Sequence, residues 1–201
     1  MKSKISFILT FICLVFISFN GFANNLSDTD RNSINNFVDN FASEFENISK
    51  ITNQKLKEES VFKLANNILD LDWMGNFILG KHRKTVAPQD KQEFIENYSK
   101  ILIKNYISVL DVYKKDSYKI TSIEQVKEGT FNVFTVVNYD NKEVKNNFRI
   151  IKKDNKYFIR DIITEGISFI SAQRSEINSV ITSKGFNNFL NELKTKNGNN
   201  K

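Results

Sequence analysis

The sequence predicts an α+β domain in which helices pack on a curved four-stranded antiparallel sheet. Three observations lead to this fold class. Apolar residues in the first part of the chain recur at intervals of three and four, which is typical of amphipathic helices. From Ser117 the period changes to two, and short turns separate the segments, which predicts a meander of strands. After residue 166 the helical period returns, so the helices are segregated from the sheet.

The amino-terminal stretch has the layout of a secretory signal peptide. Lys2 and Lys4 precede an apolar run at 5–19, and small residues stand at Gly21 and Ala23. The apolar run is short for a membrane span, and a small-residue cleavage site follows it. We therefore expect cleavage after Ala23 and export of the mature chain.

The mature chain is expected to fold around a single core. The predicted organisation is a signal peptide at 1–23, one domain at 24–196 and a disordered polar tail at 197–201. The only cysteine, Cys13, leaves with the signal peptide. Disulfides, thiolate chemistry and zinc–cysteine sites are therefore excluded from the mature chain.

Three helices are predicted in the first part of the mature chain. Residues 28–48 and 54–71 each carry one apolar face, and 72–79 is short, apolar and ended by Gly80, a good helix terminator. The apolar positions of the first two are Ile34, Phe37, Val38, Phe41, Phe45, Leu56, Val61, Leu64, Ile68 and Leu71.

The longest predicted helix begins at Pro88 and runs to about Tyr113. The only proline suits a first helical position, and a polar first turn follows it. Apolar residues cover more than one stripe of this helix. Such a helix must be covered on several sides, so it either runs through the centre of the domain or lines a cavity.

Four strands and two final helices complete the prediction. Each strand alternates in polarity, and the turns fall at 128–129, 140–141 and 153–155. The strands are predicted at 117–125, 131–139, 144–152 and 156–164. Helical periodicity resumes at 167–184, is interrupted by Gly185 and continues at 186–193. A curled sheet of this kind encloses a cone-shaped space.

The net charge does not indicate a nucleic-acid partner. The formal charge is +6 over the whole chain, and two of these charges leave with the signal peptide. The lysines are scattered, and no block resembles a nucleic-acid-binding arm. A weakly positive surface favours approach to anionic headgroups or acidic partner surfaces, or it is an ordinary solvated surface.

The sequence contains few residues of the types that usually carry out catalysis. The only histidine, His82, lies in a basic stretch and is expected to be a neutral surface-loop residue. One histidine without cysteine provides no metal-ligand spacing, and no phosphate-binding or nucleophile motif is present. We expect no catalytic residue, no metal and no cofactor.

Two pairs of carboxylates need an interpretation. Asp70 and Asp72 are expected to cap the helix that follows them. Asp161 and Glu165 flank the end of the last strand and could form an acid pair, although ion pairs with Arg160 or Arg174 are the favoured interpretation. An exported enzyme that uses Asp161 or Glu165 therefore stays an alternative.

The large number of apolar residues does not decide whether the interior is filled or hollow. Both faces of the second strand and several faces of the long helix are apolar, and the whole chain has 18 phenylalanines. These residues either fill the interior tightly or surround a ligand. A lipid is a reasonable ligand for such a cavity because it needs apolar lining and little polar chemistry.

Two segments have an order and spacing that are typical of one family. The first is Asp161–Phe169 (DIITEGISF) with Arg174, Ser179-Val180-Ile181, Gly185 and Leu190, and the second is Met74, Phe77, Leu79-Gly80-Lys81, Arg83, Pro88, Gln92, Phe94 and Tyr106. Over residues 30–196 the chain resembles the MlaC family, also called toluene-tolerance phospholipid-binding proteins. One departure is that the tryptophan common near the Leu-Gly-Lys segment is absent, and His82-Arg83 stands there.

The resemblance implies a fold and a function. The implied fold is a nuclear-transport-factor-like cone, and the implied ligand is a phospholipid held by its tails. The implied role is a periplasmic shuttle between an outer-membrane lipoprotein complex and the MCE-domain subunit of an inner-membrane ABC transporter. This role would maintain the lipid asymmetry of the outer membrane, and we expect a monomer without a nucleic-acid partner.

Periodicity selects ten candidates for the lipid-binding lining. They are Phe77, Ile78, Leu102, Tyr106, Leu110, Val133, Val137, Phe148, Ile150 and Phe158. Either face of a strand could be the inner one. The alternatives to a carrier are the enzyme described above and an interaction module without a ligand.

Overall fold

The computed structural model describes residues 26–110, 118–139 and 142–198, with the backbone alone at 105–110 and at Tyr139. These residues form six α-helices and five β-strands. In chain order they are α1 (Asp28–Ser49), α2 (Gln54–Ile68), α3 (Leu71–Leu79), a 3₁₀ turn (Gly80–Lys84), α4 (Pro88–Leu110), β1 (Tyr118–Lys127), β2 (Thr130–Tyr139), β3 (Lys142–Lys153), β4 (Lys156–Thr164), β5 (Ile167–Ser168), α5 (Phe169–Lys184) and α6 (Phe186–Lys196). The α+β class predicted from the periodicity is confirmed.

Side-chain caps fix the starts of three helices. The Ser27 side chain accepts a hydrogen bond from Asp30 N at 3.0 Å, and Asn53 accepts one from Leu56 N at 3.0 Å. Ser168 caps α5 in the same way, accepting from Ser171 N at 3.2 Å. Each cap satisfies a backbone donor that has no partner within the helix.

The second helix ends earlier than the sequence pattern predicts. The apolar period continues to Leu71, but α2 stops at Ile68 because Leu69 adopts an extended conformation. Leu69 forms a parallel bridge with Ile159, and Asp70 N donates to Ile159 O at 3.0 Å. Pairing with the edge of the sheet therefore ends the helix at this point. This is a tertiary effect, and the helical period of the sequence contains no signal for it.

Gly80 ends α3 as predicted. Its φ of 55° lies in the left-handed region, which favours glycine. The 3₁₀ turn that follows contains His82, so the predicted surface loop is wrong at this position. Its residues bond locally, and Thr85 N donates to His82 O at 3.0 Å.

The strands form one antiparallel sheet in the order β1-β2-β3-β4-β5. Neighbours in the chain are neighbours in the sheet, so the predicted meander is confirmed. The turn between β3 and β4 has positive φ at Asp154 (49°) and Asn155 (58°), residue types that tolerate this region. The turn predicted at 140–141 lies outside the described residues, as do residues 111–113 of the predicted long helix.

A fifth strand corrects the predicted count of four. Ile167 and Ser168 pair with Thr164 and Ile163, so these two residues belong to the sheet and not to the last long helix. The cause is a tight reversal in which Glu165 (φ 49°) and Gly166 (φ 82°) both take positive φ. The reversed chain runs back along β4 before α5 begins at Phe169.

Three apolar clusters make up the core. The first joins α3, α4, α5 and α6, the second lies between α1 and the sheet, and the third joins α1, α2 and α4. Leu102 belongs to the first cluster and Ile103 to the third, so α4 packs on more than one side, as predicted. In the described part of the chain, no helix is long and apolar enough to cross a membrane.

Candidate functional site

An apolar pocket lies where the sheet-facing cluster meets the cluster of α1, α2 and α4. Its cavity volume is about 240 Å³. Its twelve lining residues are all apolar: Phe41, Phe45, Val61, Leu64, Ala65, Ile68, Leu69, Leu102, Ile103, Phe148, Ile159 and Ile162. No charged or hydrogen-bonding side chain of the described residues lines it, so the pocket suits hydrocarbon.

The helical walls of the pocket follow from the helical period. Phe41 and Phe45 lie four residues apart on α1 and therefore share one face. On α2, Val61, Leu64 and Ile68 recur at intervals of three and four and point to the same side. Side chains from different helices thus meet around one space.

The sheet closes the opposite side of the pocket. Phe148 on β3 pairs directly with Ile162 on β4, so both side chains lie on one face. The rings of Phe41 and Phe148 pack edge to face with centroids 5.8 Å apart. This contact holds α1 over the sheet beside the pocket.

The structure brings only part of the predicted lining to this pocket. Leu102 and Phe148 lie in its wall. Val133 pairs with Phe148, but Val133 and Ile150 are fully buried in the adjoining cluster beneath α1. Both therefore lie on the same face of the sheet as Phe148, beside the pocket wall and not in it.

The other predicted residues lie elsewhere. Phe77 and Ile78 belong to the cluster of α3, α4, α5 and α6. Phe158 neighbours Ile159 along β4 and so points to the opposite face, where it pairs with Ile151. Val137, on the face of Val133, is half-buried and is not part of the pocket wall.

Two further candidates, Tyr106 and Leu110, lie near the end of α4. The backbone of α4 is described at Tyr106 and Leu110, but their side chains lie outside the described residues. For all ten candidates, contact with a lipid stays a prediction.

Sequence reasoning missed most of the pocket wall, including the α1 and α2 residues and three sheet or sheet-edge residues. The missed residues are Phe41, Phe45, Val61, Leu64, Ala65, Ile68, Leu69, Ile103, Ile159 and Ile162. The apolar period marked most of them as inward-facing. It contains no signal that separates a stripe facing a cavity from a stripe facing a filled core.

Asp161 is held in place by neighbouring donors. Its side chain is 1% exposed; Oδ2 accepts from Ser168 Oγ at 2.7 Å and Oδ1 from the Ile170 amide at 3.1 Å. Its ion-pair partner is Arg149, at 3.6 Å, and not the predicted Arg160 or Arg174. This carboxylate joins the end of β4 to the first turn of α5.

The other acidic residues also have structural partners. Glu165 Oε1 accepts from Lys145 N at 2.7 Å, so Glu165 and Asp161 are not an acid pair held together by a direct contact. Asp70 occupies the cap position of α3 but makes no capping bond, because its carboxylate accepts from Arg160 Nε at 2.7 Å instead. Asp72 lies in the first turn of α3, where a negative charge is favourable.

The arginines near these acids pack on aromatic rings. The Arg160 guanidinium lies 4.7 Å from the centre of the Trp73 ring, and that of Arg174 lies 4.9 Å from the centre of the Phe77 ring. Such contacts are favourable because the ring face is negative. The contact with Phe77 explains where the Arg174 side chain lies without the predicted ion pair to Asp161 or Glu165.

His82 is half-buried in the 3₁₀ turn. Burial lowers the pKa of its ring, and the charge of Lys81 lowers that pKa further. Its Nε2 atom is buried and has no hydrogen-bond partner. Burial is thus the larger reason for the neutral form, which the sequence assigned to neighbouring cations.

A small charged cluster holds the start of α1 against the sheet. Lys152 Nζ donates to Asp30 Oδ1 at 2.8 Å, and Tyr157 OH donates to the same oxygen at 2.9 Å. The bond from Lys152, and then that from Tyr157, lowers the pKa of the Asp30 carboxyl. The bond to Asp30 raises the pKa of Lys152, and burial raises that of Tyr157.

Metal-binding groups are not found among the described residues. No cluster of three or more histidine, cysteine, aspartate or glutamate side chains in that part of the chain could hold a metal ion. The fold and the site together define an α+β domain with an apolar pocket between its helices and its antiparallel sheet.

Comparisons with known proteins give the family. A family model described as "MlaC protein" matches residues 31–195. The chain therefore belongs to the MlaC family, as the resemblance of its motifs predicts. No curated protein matches the chain significantly.

A solved structure has the same fold. It is described as the phospholipid-binding protein from Ralstonia solanacearum in complex with a phospholipid. The two chains are 17% identical, with a TM-score of 0.67, over 83% of this chain and 96% of the other. At this identity the likeness establishes the α+β fold of helices on an antiparallel sheet.

Proposed function

We propose that this protein is a periplasmic carrier that binds a phospholipid by its acyl tails. The single observation that carries the proposal is the pocket between α1, α2, α4 and the sheet, which all-apolar side chains line. Membership of the MlaC family supports the proposal, as does the phospholipid in the Ralstonia protein of the same fold. An all-apolar wall suits the binding of hydrocarbon, which supports a binding role for the site.

The energetic requirement for such a carrier is simple. Each buried methylene is worth about 0.8 kcal/mol, so two ordinary acyl chains amount to roughly 20 kcal/mol of transfer free energy. Lipid tails cannot cross water at that cost. A dry pocket removes the cost by giving the tails an environment comparable to the bilayer.

The pocket must widen to receive a whole phospholipid. At about 240 Å³ it lies just below the range of about 300 to 1,000 Å³ that is usual for ligand pockets. We infer that it accepts the second tail as α1 and α2 move away from the sheet. These helices supply Phe41, Phe45 and Ala65 to the wall. Their displacement would leave the pairing of the long strands intact, while the bridge between Leu69 and Ile159 holds the end of α2 at β4.

The proposed setting is the periplasm of a cell with two membranes. The signal peptide is removed after Ala23, and the mature chain carries phospholipid as a monomer without a further cofactor. Its proposed partners are an outer-membrane lipoprotein complex and the MCE-domain subunit of an inner-membrane ABC transporter. Through them it would maintain the lipid asymmetry of the outer membrane.

The test is to extract and identify what the exported protein carries. The protein is purified from the periplasm without detergent, treated with organic solvent and analysed by mass spectrometry. We expect phospholipid at close to one molecule per chain, and an intact mass that begins at Asn24. A protein that folds and is free of phospholipid would overturn the proposal.

A variant that fills the pocket makes the test specific. Ala65→Phe places a ring in the space that Ala65 now borders, so lipid content should fall at least fivefold, while thermal unfolding shows that the chain still folds. The matched control is Ala172→Phe, because Ala172 is an exposed residue of α5 outside the pocket. Equal lipid contents in the two variants would assign the lipid to another site.

A further inference from the structure

A row of polar side chains crosses the sheet at one end of the apolar pocket. Thr135 on β2 pairs with Asn146 on β3, and Asn146 pairs with Thr164 on β4. Directly paired residues of antiparallel strands project to the same face, so these three side chains form one polar rung. The adjacent rung on that face is Val133, Phe148 and Ile162, all apolar.

The polar rung lies in the direction in which the pocket extends. On α1, Phe37 packs beside Tyr157 and Phe41 packs beside Phe148, so the helix passes along β3 toward Asn146. Phe45, a pocket residue, lies about 6 Å further along the helix. Adjacent rungs on one face are roughly 7 Å apart. The α1 wall of the pocket therefore reaches toward the polar rung, whose three residues lie beside the lining residues Phe148 and Ile162 and are not themselves part of the wall.

Thr135 is the unusual member of the rung. Its residue is only 2% exposed, and its Oγ1 atom is buried without a hydrogen-bond partner. A buried hydroxyl without a partner destabilises a folded protein, and most such groups are paired. Valine has nearly the same shape and would avoid this cost. A ligand that accepts a hydrogen bond from this hydroxyl would explain why threonine and not valine stands at this position.

The neighbouring polar groups leave Thr135 available. Thr164 Oγ1 donates to Asn146 Oδ1 at 2.7 Å, so these two side chains bind one another and not Thr135. The cross-strand neighbour on the other side, Ile120, offers no polar side-chain atom.

We propose that Thr135 donates a hydrogen bond to an ester carbonyl of the bound phospholipid. The inference rests on the proposed function and places the glycerol end of the lipid beside the polar rung, with the tails among Phe148 and Phe45. A phosphate is a poorer fit, because no lysine or arginine of the described residues lines the pocket. An ester carbonyl is a neutral acceptor that one hydroxyl can satisfy.

The experiment compares two phospholipids that differ only at the ester group. Delipidated protein is loaded from an equimolar mixture of dipalmitoyl phosphatidylcholine and its dihexadecyl ether analogue, re-isolated and analysed by mass spectrometry. We expect the wild type to enrich the ester lipid about three- to tenfold, the factor that one hydrogen bond provides. Thr135→Val should reduce the enrichment to less than twofold while still binding both lipids.

Two control variants separate the hydroxyl from the fold. Thr135→Ser keeps the hydroxyl and should keep the enrichment. Thr121→Val makes the same chemical change at an exposed position whose Oγ1 donates to Phe134 O, and it should also keep the enrichment. The infrared band of a ¹³C-labelled ester carbonyl should lie at lower frequency in the wild type than in Thr135→Val.

The outcomes distinguish this inference from the proposed function. A wild type that retains neither lipid would overturn the proposed function, and this inference with it. A wild type that binds both lipids equally, or a Thr135→Val protein that keeps both the enrichment and the carbonyl band of the wild type, would overturn the role of Thr135 alone.

Discussion

At the scale of single residues, the acidic side chains of this protein serve the fold. Asp161 is a buried carboxylate whose oxygens accept hydrogen bonds from Ser168 and Ile170. A general base needs a lone pair directed at substrate, and Asp161 directs its oxygens at the start of α5. The alternative of an enzyme that uses Asp161 or Glu165 therefore gains no support from the geometry.

Replacing Asp161 tests this structural role. Asp161→Ala should lower the free energy of unfolding by about 2 to 4 kcal/mol, because two buried hydrogen bonds are lost and donors remain unpaired. The ion pair with Arg149 adds little, since the Arg149 side chain is 55% exposed. Urea unfolding measures the loss. Lipid content per folded chain should not change.

Glu165→Ala is the control for Asp161. Glu165 is exposed and accepts one hydrogen bond from Lys145 N, so its replacement should cost less than about 1 kcal/mol. If Asp161→Ala left stability intact and abolished a measurable hydrolysis, the structural assignment of Asp161 would be wrong.

At the scale of elements, α1 is held to the sheet at its start and faces the pocket further along. Its first turn is fixed by the cluster of Asp30, Lys152 and Tyr157. Its pocket-facing residues, Phe41 and Phe45, lie three to four turns later. A helix anchored at one end can widen the pocket at the other without losing its attachment.

The anchor predicts a pH dependence of stability. The folded state lowers the pKa of Asp30 below its ordinary value of 3.8, so its contribution is fully present above that pH. The contribution is lost as the pH falls through the lowered pKa. Asp30→Asn should therefore be less stable than the wild type at neutral pH, and the difference should vanish in strong acid. Thermal unfolding between neutral pH and pH of about 2 measures it.

Asp28→Asn is the matched control for the anchor. Asp28 is exposed in the same first turn of α1, so the variant loses the same charge at the same end of the helix dipole without breaking the cluster. If the two variants lost the same free energy of unfolding, the loss would come from the helix dipole and not from the cluster of Asp30, Lys152 and Tyr157.

At the scale of the whole molecule, the fold separates a sheet with a fixed register from helices that cover one of its faces. The ladder of β2 and β3 is continuous over ten residue pairs, which makes the sheet a firm floor. The helical walls contact that floor mainly through side chains, and a backbone hydrogen bond from Asp70 N to Ile159 O ties the end of α2 to β4. Movement of the helices would therefore leave the ladder of the long strands intact.

A carrier of this kind should transfer lipid by contact. Release of tails into water costs about 0.8 kcal/mol per methylene, so spontaneous release is slow. The rate at which a fluorescent phospholipid leaves the protein should therefore rise in proportion to the concentration of acceptor vesicles. The measurement is a fluorescence transfer assay with vesicles that contain a quencher. A rate that does not depend on acceptor concentration would indicate release through water.

The sequence by itself determined the order of the helices and of the four long strands. Alternation predicted the meander and Gly80 predicted the end of α3, because both depend on local backbone conformation. The motifs at 161–169 and 74–106 predicted the family. These features depend on residues that are close together in the chain, so they can be predicted from the sequence alone.

Only the tertiary structure decided where the helical walls meet the sheet. Pairing of Leu69 with Ile159 ended α2 at Ile68, and Asp70 became a hydrogen-bond acceptor for Arg160 instead of a helix cap. Packing also placed Phe41, Ala65 and Ile162 around one space. A periodic apolar pattern states which side chains are buried, but a filled core and a cavity bury the same side chains. The difference between them is the distance between elements, and that distance is set by packing across the whole chain.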